Sequence, residues 1–273
     1  MGAPTEKFRL FTRAARANLR RVIPFPASTN PDANRPYFTH PDTVLEYARA
    51  AVRVGLWRSE ATLLERYVPK TARVLELGCG AGRVSVGMAK AGWTDLRATD
   101  FSPAMVEAAV AVVDMAGVGD RVRCEVADAT ALPYADGTFD AAVFAFNGLL
   151  MIPGADRRRA AMREIARVLR PGGVFIFSGH DRDCTRLDHW SEERRRAAAG
   201  ELDADKEVLG DTLYDTPQGR VFIHSADEED LSADLAAAGL RTVFSQMRSA
   251  IAEEPREVRE FSDDTRLRVA LKD

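Results

Sequence analysis

Three glycines, Gly78, Gly80 and Gly82, end an apolar run in VLELGCGAGRVS (residues 74–85). An apolar run that breaks into closely spaced glycines predicts a buried strand, a tight turn and the start of a helix. Such a turn lets a ligand lie against bare backbone. The spacing is GxGxG, with Arg83 where the last glycine of GxGxxG would stand, which disfavours a nicotinamide cofactor. A strand–helix turn without a ligand is the simpler alternative.

Two aspartates follow the next two predicted strands. Asp100 ends the second strand, where a carboxylate can accept hydrogen bonds from both hydroxyls of a ribose. Asp128 follows the third strand, where it could accept the exocyclic amino group of adenine while Ala129 leaves room for the ring. The alternatives are that Asp100 or Ser102 only caps the next helix, and that Asp128 is an ordinary loop residue.

Alternating strand and helix patterns would bring these residues to one edge of a sheet. Predicted strands lie at 73–77, 96–99, 122–126, 140–145 and 173–178, with helices at 82–91, 103–116 and 156–169. Crossovers of this length predict a doubly wound α/β sheet, which binds ligands at the carboxyl ends of its strands. Further predicted elements are helices near 41 and at 58–67, a hairpin around 216–219, a helix at 227–238, and strands near 241–247 and 266–271.

Composition limits the class of protein. The net charge of the 273 residues is −3, which does not indicate a nucleic-acid partner. Cys79, Cys124 and Cys184 are far apart and form no CxxC motif, so we expect neither disulfides nor a metal site, and a reduced cytoplasmic setting. No apolar stretch reaches the roughly 20 residues of a membrane span. The basic segment 5–22 is expected to be a solvated helix or a docking face.

Four segments together resemble the class I S-adenosylmethionine-dependent methyltransferases, of the broad small-molecule type that includes the ubiquinone and menaquinone biosynthesis enzymes. They are VLELGCGAGRVS, ATDFSPAMVEAA, ADATALPYADGTFDAAVFAF and IARVLRPGGVFIF. The resemblance implies a Rossmann-like sheet of seven strands whose last strand, in DTRLRVALK, is antiparallel. It also implies S-adenosylmethionine as cofactor, S-adenosylhomocysteine as product and a small-molecule acceptor.

The resemblance also implies which residues bind the cofactor. The methionyl part would be held by Glu76, Gly78, Cys79, Gly80 and Gly82, and the sulfonium would lie beside Phe146 and Asn147. The nucleoside would be held by Asp100, Phe101, Met105, Asp128 and Ala129. The motif of enzymes that methylate nucleic-acid bases or glutamine, Asn-Pro-Pro-Tyr, is missing after the fourth strand. RNA or protein methylation, and cofactor binding without methyl transfer, are the alternative functions.

The expected reaction is an in-line displacement that depends on alignment and on exclusion of water. His180, after the fifth strand, is the candidate general base, and a surface histidine is the alternative. Residues 1–60 are expected to form a helical extension or cap, and residues 61–273 the methyltransferase domain with a lid insertion at 179–226. Aromatic candidates for the pocket wall are Tyr37, Phe38, Trp57, Trp190 and Tyr214.

Overall fold

The computed structural model describes residues 32–182, 195–196, 198–201 and 209–273. The basic segment 5–22, Cys184 and Trp190 lie outside the described residues. None of the described helices is both long enough and apolar enough to cross a bilayer.

Nine named strands alternate with helices along the described chain. The strands are β1 (Arg73–Leu77), β2 (Asp95–Asp100), β3 (Val122–Val126), β4 (Phe139–Phe144), β5 (Leu169–Gly179), β6 (Asp211–Thr216), β7 (Gly219–His224), β8 (Leu240–Met247) and β9 (Arg266–Lys272). The helices are α1 (Arg35–Thr39), α2 (Pro41–Arg53), α3 (Arg58–Tyr67), α4 (Arg83–Lys90), α5 (Pro103–Ala116), α6 (Ala155–Val168), α7 (Glu228–Ala237), α8 (Arg248–Ile251) and α9 (Arg256–Phe261).

Seven of these strands form one sheet in the order β3-β2-β1-β4-β5-β9-β8. The pairs among β1 to β5 are parallel, and β9 runs antiparallel to both of its neighbours. The predicted doubly wound sheet with an antiparallel last strand is therefore confirmed. The chain order reverses between β1 and β4, where folds of this kind open a crevice for ligands. Strands β6 and β7 form a separate antiparallel hairpin.

The sheet is buried on both faces by helices, as parallel sheets require. Successive residues of β1 point to opposite faces, so Val74 packs in one core cluster and Leu75 and Leu77 in the other. The apolar run in this strand thus reflects burial on both sides. All of its residues after Arg73 are buried.

Strand β5 differs from its prediction at its start. The predicted Pro-Gly-Gly turn lies inside the strand, which begins at Leu169. Leu169 pairs with Phe139, and the next paired residue, Val174, lies opposite Ala141. Between these two pairs, β5 advances by five residues while β4 advances by two. The extra residues of β5, which include the Pro-Gly-Gly segment, therefore form a bulge in the strand. Gly172 has φ +72°, a conformation that favours glycine.

Candidate functional site

A cavity of about 580 Å³ lies at the carboxyl ends of the central parallel strands. Its wall includes Glu76 of β1, Asp100 of β2, Asp128 after β3 and Phe146 after β4. These four residues come from four adjacent strands of the sheet. The volume lies within the range of small-molecule sites, about 300–1,000 Å³.

The glycine loop between β1 and α4 forms part of the cavity wall through Gly78, Cys79 and Gly80. Gly78 and Gly80 have φ +59° and +52°, in the left-handed region. The backbone N–H of Cys79 donates to the carbonyl of Thr99 at 2.8 Å, which ties the loop to β2. A Cβ built on Gly78 would lie 2.6 Å from Cε2 of Phe144. The loop therefore has no room for a side chain at this position.

Alanine at position 78 is expected to destabilise the protein more than alanine at position 117. Gly117 has a similar φ, +67°, but a Cβ there would meet no atom within 4 Å. Both substitutions carry the left-handed penalty of about 1–2 kcal/mol, and only Gly78→Ala adds overpacking of about 1–3 kcal/mol. Urea unfolding of both variants measures the difference. Equal losses would contradict the close approach of Phe144.

Asp100 links the glycine loop to the start of α5. Its Oδ2 accepts a hydrogen bond from the Gly80 N–H at 2.9 Å, and its Oδ1 accepts one from the Ser102 N–H at 2.9 Å. Burial raises the pKa of Asp100 to about 6, although these backbone donors oppose the shift. Ser102 caps α5 as expected, with its hydroxyl accepting from the Met105 N–H. A carboxylate has about four acceptor positions, so capacity remains for ribose hydroxyls.

Glu76 is buried beside the N-terminus of α4. Its Oε2 accepts hydrogen bonds from the backbone N–H, at 2.9 Å, and from the hydroxyl of Ser85. Burial raises the pKa of Glu76 to about 7, and the Ser85 hydrogen bonds only partly oppose this. A buried acid with this pKa gains most from a cationic ligand, because a nearby ammonium group favours its ionised form.

Binding of S-adenosylhomocysteine is therefore expected to strengthen as the pH rises from 5.5 to 8. In the role that the sequence resemblance implies, Glu76 pairs with the ligand's ammonium group, and below pH 7 it must first lose a proton, so binding would release up to about one proton. Each pH unit below the pKa weakens binding by up to about tenfold. Calorimetry at pH 6 in buffers of different ionisation enthalpy measures the release. Glu76→Gln should reduce it, and an affinity independent of pH would contradict the assignment.

Asp128 is more exposed than Glu76 and Asp100, and its carboxylate already forms an ion pair with Arg157. Its Oδ1 accepts from the N–H and hydroxyl of Thr130, both at 2.8 Å, and its Oδ2 lies 3.2 Å from Nη2 of Arg157. Burial acts to raise the pKa of Asp128, but the Thr130 hydrogen bonds and Arg157 outweigh it and lower the pKa. The carboxylate therefore remains ionised and available as an acceptor. Ala129 and Phe101 also line the cavity.

Four predicted site residues are not on the cavity wall. Gly82 is the N-cap of α4 with φ +84°, and a Cβ built on it would lie 3.5 Å from Cβ of Ala109 in α5. Met105 is fully buried within α5. Asn147 is buried with φ +64°, and its Oδ1 has no hydrogen-bond partner.

His180 is the fourth of these residues, and the expectation that it acts as general base lacks geometric support. It follows β5, and its carbonyl accepts a hydrogen bond from Ala226. Burial lowers the pKa of His180, partly opposed by Asp263, so the imidazole is neutral near pH 7. The side chain is not among the residues that line the cavity.

The structure also brings residues to the wall that sequence reasoning missed. Tyr47 of α2, Arg157 of α6 and Phe261 of α9 line the cavity. Of the aromatic candidates in the described part, Phe38 lines it, whereas Trp57 is fully buried nearby. Tyr37 and Tyr214 belong to the cluster beneath the hairpin, which also contains Met151, Val221 and Ile223. No motif or periodic pattern marks the three missed positions.

The wall fits S-adenosylmethionine in three respects. The glycine loop lines the cavity together with Glu76, whose carboxylate can serve as the counter-charge of an ammonium group. Asp100 has remaining acceptor capacity for a ribose, and Asp128 lies at the end of the next strand.

Known proteins share this combination. Residues 74–173 match a family described as a methyltransferase domain. Methyltransferase GfsG of Streptomyces halstedii is 35% identical over 143 residues, which cover 52% of this chain and 48% of that protein. The 27-O-demethylrifamycin SV methyltransferase of Amycolatopsis mediterranei is 36% identical over 132 residues, 44% of this chain and 47% of that protein. The chain spans about half the length of these curated relatives.

A solved structure shares the fold. The crystal structure of a S-adenosylmethionine-dependent methyltransferase from Methanosarcina mazei is 18% identical, has a TM-score of 0.63, and covers 80% of this chain and 98% of that one. Residues 74–173 therefore match a methyltransferase domain, and the chain shares the fold of a S-adenosylmethionine-dependent methyltransferase, which agrees with the resemblance of its four sequence segments.

Proposed function

We propose that the protein transfers the methyl group of S-adenosylmethionine to a small-molecule acceptor by in-line displacement. One observation carries this proposal: the glycine loop and the carboxylates of Glu76, Asp100 and Asp128 line a single cavity. The name of one relative supports the acceptor class, because that protein is named as a methyltransferase of 27-O-demethylrifamycin SV, a small molecule.

Each part of the cofactor has a partner in this proposal. Glu76 pairs with the ammonium group, Asp100 accepts from the ribose hydroxyls, and Asp128 accepts from the adenine amino group. The sulfonium supplies an activated methyl group, so no covalent enzyme intermediate is needed. The protein aligns the acceptor with the methyl group and excludes water. Phe146, on the wall after β4, contributes to both tasks.

The proposal includes a cap over the cavity, formed by the described parts of the two predicted segments, residues 32–60 and 209–226. Asn34 supports it by joining both segments to the wall. Its amide nitrogen donates to the carbonyls of Met151, at 2.7 Å, and Phe222, at 3.1 Å, and its oxygen accepts from the Phe222 N–H at 2.6 Å. Asn34 and Met151 line the cavity, and Phe222 lies in the hairpin strand β7.

A methyl-transfer screen tests the proposed function. The protein is incubated with S-adenosylmethionine and a metabolite library, and formation of S-adenosylhomocysteine is measured. Bulk RNA and unfractionated protein serve as acceptors in parallel arms. Turnover with metabolites supports the proposal, whereas turnover only with RNA or protein would contradict the small-molecule class. Binding of a nicotinamide dinucleotide in preference to S-adenosylhomocysteine would contradict the cofactor assignment of the site.

A further inference from the structure

A continuous series of five aromatic rings lines the cavity. The series, here called the aromatic wall, consists of Phe101, Phe38, Tyr47, Phe146 and Phe261. Neighbouring ring centroids along it are 5.8, 5.8, 6.2 and 5.0 Å apart. The first three contacts are edge-to-face, and the last is a stack with an interplanar angle of 21°. These separations are those of interacting aromatic pairs.

The aromatic wall extends away from the residues assigned to the nucleoside. Phe101 follows Asp100 directly, whereas Phe146 and Phe261 lie beyond the end of β4, on the side assigned to the sulfonium. Phe261 reaches this position from the helix between β8 and β9. The far end of the wall is therefore available to an acceptor and not needed by the nucleoside.

The cations that line the cavity, among the described residues, already have acidic partners. Arg35 pairs with Asp32 at 2.8 Å, and Arg157 pairs with Asp128 at 3.2 Å. Arg83 forms a two-pronged pair with Glu60, with distances of 2.6 and 2.7 Å. The remaining acids on the wall, Glu76 and Asp100, are assigned to the cofactor. An anionic acceptor would therefore lose its hydration without gaining an unpaired cation.

The other ionisable groups on the wall are neutral at physiological pH. Burial raises the pKa of Tyr47 well above its ordinary value, and the nearby Tyr37 and Asp100 raise it further. Burial likewise raises the pKa of the Cys79 thiol, so it stays protonated. Neither group adds a charge that an ionic acceptor could use.

We propose that the acceptor of this methyltransferase is an uncharged, flat and mainly apolar ring compound that binds against the aromatic wall. This inference rests on the proposed function, because it assigns the far end of the cavity to an acceptor. Flat rings match the wall because a pair of aromatic rings is stabilised by more than the burial of its apolar surface alone. Neutral compounds match it because the charged side chains on the described part of the wall are already in ion pairs or are assigned to the cofactor.

Three probes with related bicyclic skeletons test the inference on the protein saturated with S-adenosylhomocysteine. They are 2-naphthol, which is flat and neutral; 2-naphthoate, which is flat and anionic; and 2-decalol, which is neutral and saturated. Calorimetry should find 2-naphthol the tightest of the three. We expect 2-naphthoate to bind at least about 30-fold more weakly, because its carboxylate is desolvated without a partner. We expect 2-decalol to bind about threefold more weakly.

A variant pair locates the binding. Phe261→Leu should weaken 2-naphthol binding by about threefold to tenfold, because it removes the ring stacked on Phe146. Phe244→Leu is the matched control, since Phe244 lies on β8, packs on Tyr67 and does not line the cavity. It should leave the affinity for 2-naphthol unchanged. Equal losses in the two variants would overturn the assignment of the probe to the aromatic wall.

The outcomes separate this inference from the proposed function. Binding of 2-naphthoate or 2-decalol as tight as that of 2-naphthol would overturn the inference, as would failure of 2-naphthol to bind. In each of these cases, intact binding of S-adenosylhomocysteine leaves the proposed function standing. Failure to bind S-adenosylhomocysteine would instead remove the proposed function itself.

Discussion

Asp100→Ala is expected to weaken binding of S-adenosylhomocysteine by at least about 100-fold. The variant removes a buried carboxylate that would accept both ribose hydroxyls, and two hydrogen bonds to a charged group are worth about 3–6 kcal/mol. It also removes the acceptors of the Gly80 and Ser102 N–H groups, so the glycine loop loses its link to α5. Both effects act on the same ligand. Isothermal titration calorimetry at pH 8, where Asp100 is ionised, measures the loss.

Asp95→Ala is the matched control because Asp95 lies at the opposite end of the same strand. Its carboxylate pairs with Arg73 at 2.9 Å, and both side chains are more than one-third exposed. We expect unchanged ligand affinity in this variant. Thermal unfolding of both variants separates a binding defect from loss of the fold. Parent-like affinity in folded Asp100→Ala would show that the ribose assignment is wrong.

The sequence predicted those parts of the site that are marked by a pattern of neighbouring residues. A glycine loop after a buried run, and an acid at a strand end, are each recognisable within a few residues, and the α/β alternation brings them to one sheet edge. Asp100 and Asp128 lie on the cavity wall for this reason. The prediction was incomplete for Asp100, because the sequence did not indicate that it also accepts the Gly80 N–H.

The rest of the wall depends on long-range packing that has no local signal. Phe261 lies more than one hundred residues after Phe146, and nothing in its neighbourhood indicates that the two rings stack. Met105 and Asn147 lie in the expected elements, but they are buried and do not line the cavity. Sequence position fixes the element, whereas the direction of a side chain depends on the helix face or the local φ. At Asn147 the backbone has φ +64°, and this local conformation determines the direction of its side chain.

The helix that follows the glycine loop, α4, is joined to the N-terminal helix α3 by a buried ion pair. Arg83, the first residue of α4, donates two hydrogen bonds to Glu60 of α3. The same carboxylate accepts the Trp57 N–H at 2.9 Å. The Trp57 ring lies between the guanidinium groups of Arg83, at 4.5 Å, and Arg248, at 4.9 Å. Its edge contacts Phe146 at a centroid distance of 5.9 Å, so the pair also supports the aromatic wall.

Glu60→Gln is expected to lower the free energy of unfolding by about 3–5 kcal/mol, because Arg83 is left buried without its counter-charge. Both side chains are at most one-tenth exposed, so water cannot compensate the loss. Chemical unfolding measures the change. The double variant Glu60→Leu/Arg83→Met should be less destabilised than the sum of its two single variants, since it removes both charges together.

The exposed pair of Arg73 and Asp95 provides the control for the buried one. Both side chains are partly in water, and such pairs contribute about 0–1 kcal/mol. Asp95→Asn should therefore change the free energy of unfolding by no more than about 1 kcal/mol. If Glu60→Gln costs as little as Asp95→Asn, or if the Glu60 and Arg83 effects are additive, the ion pair does not hold α3 to α4. A large non-additive coupling would instead show that the Glu60–Arg83 pair itself stabilises the contact between α3 and α4.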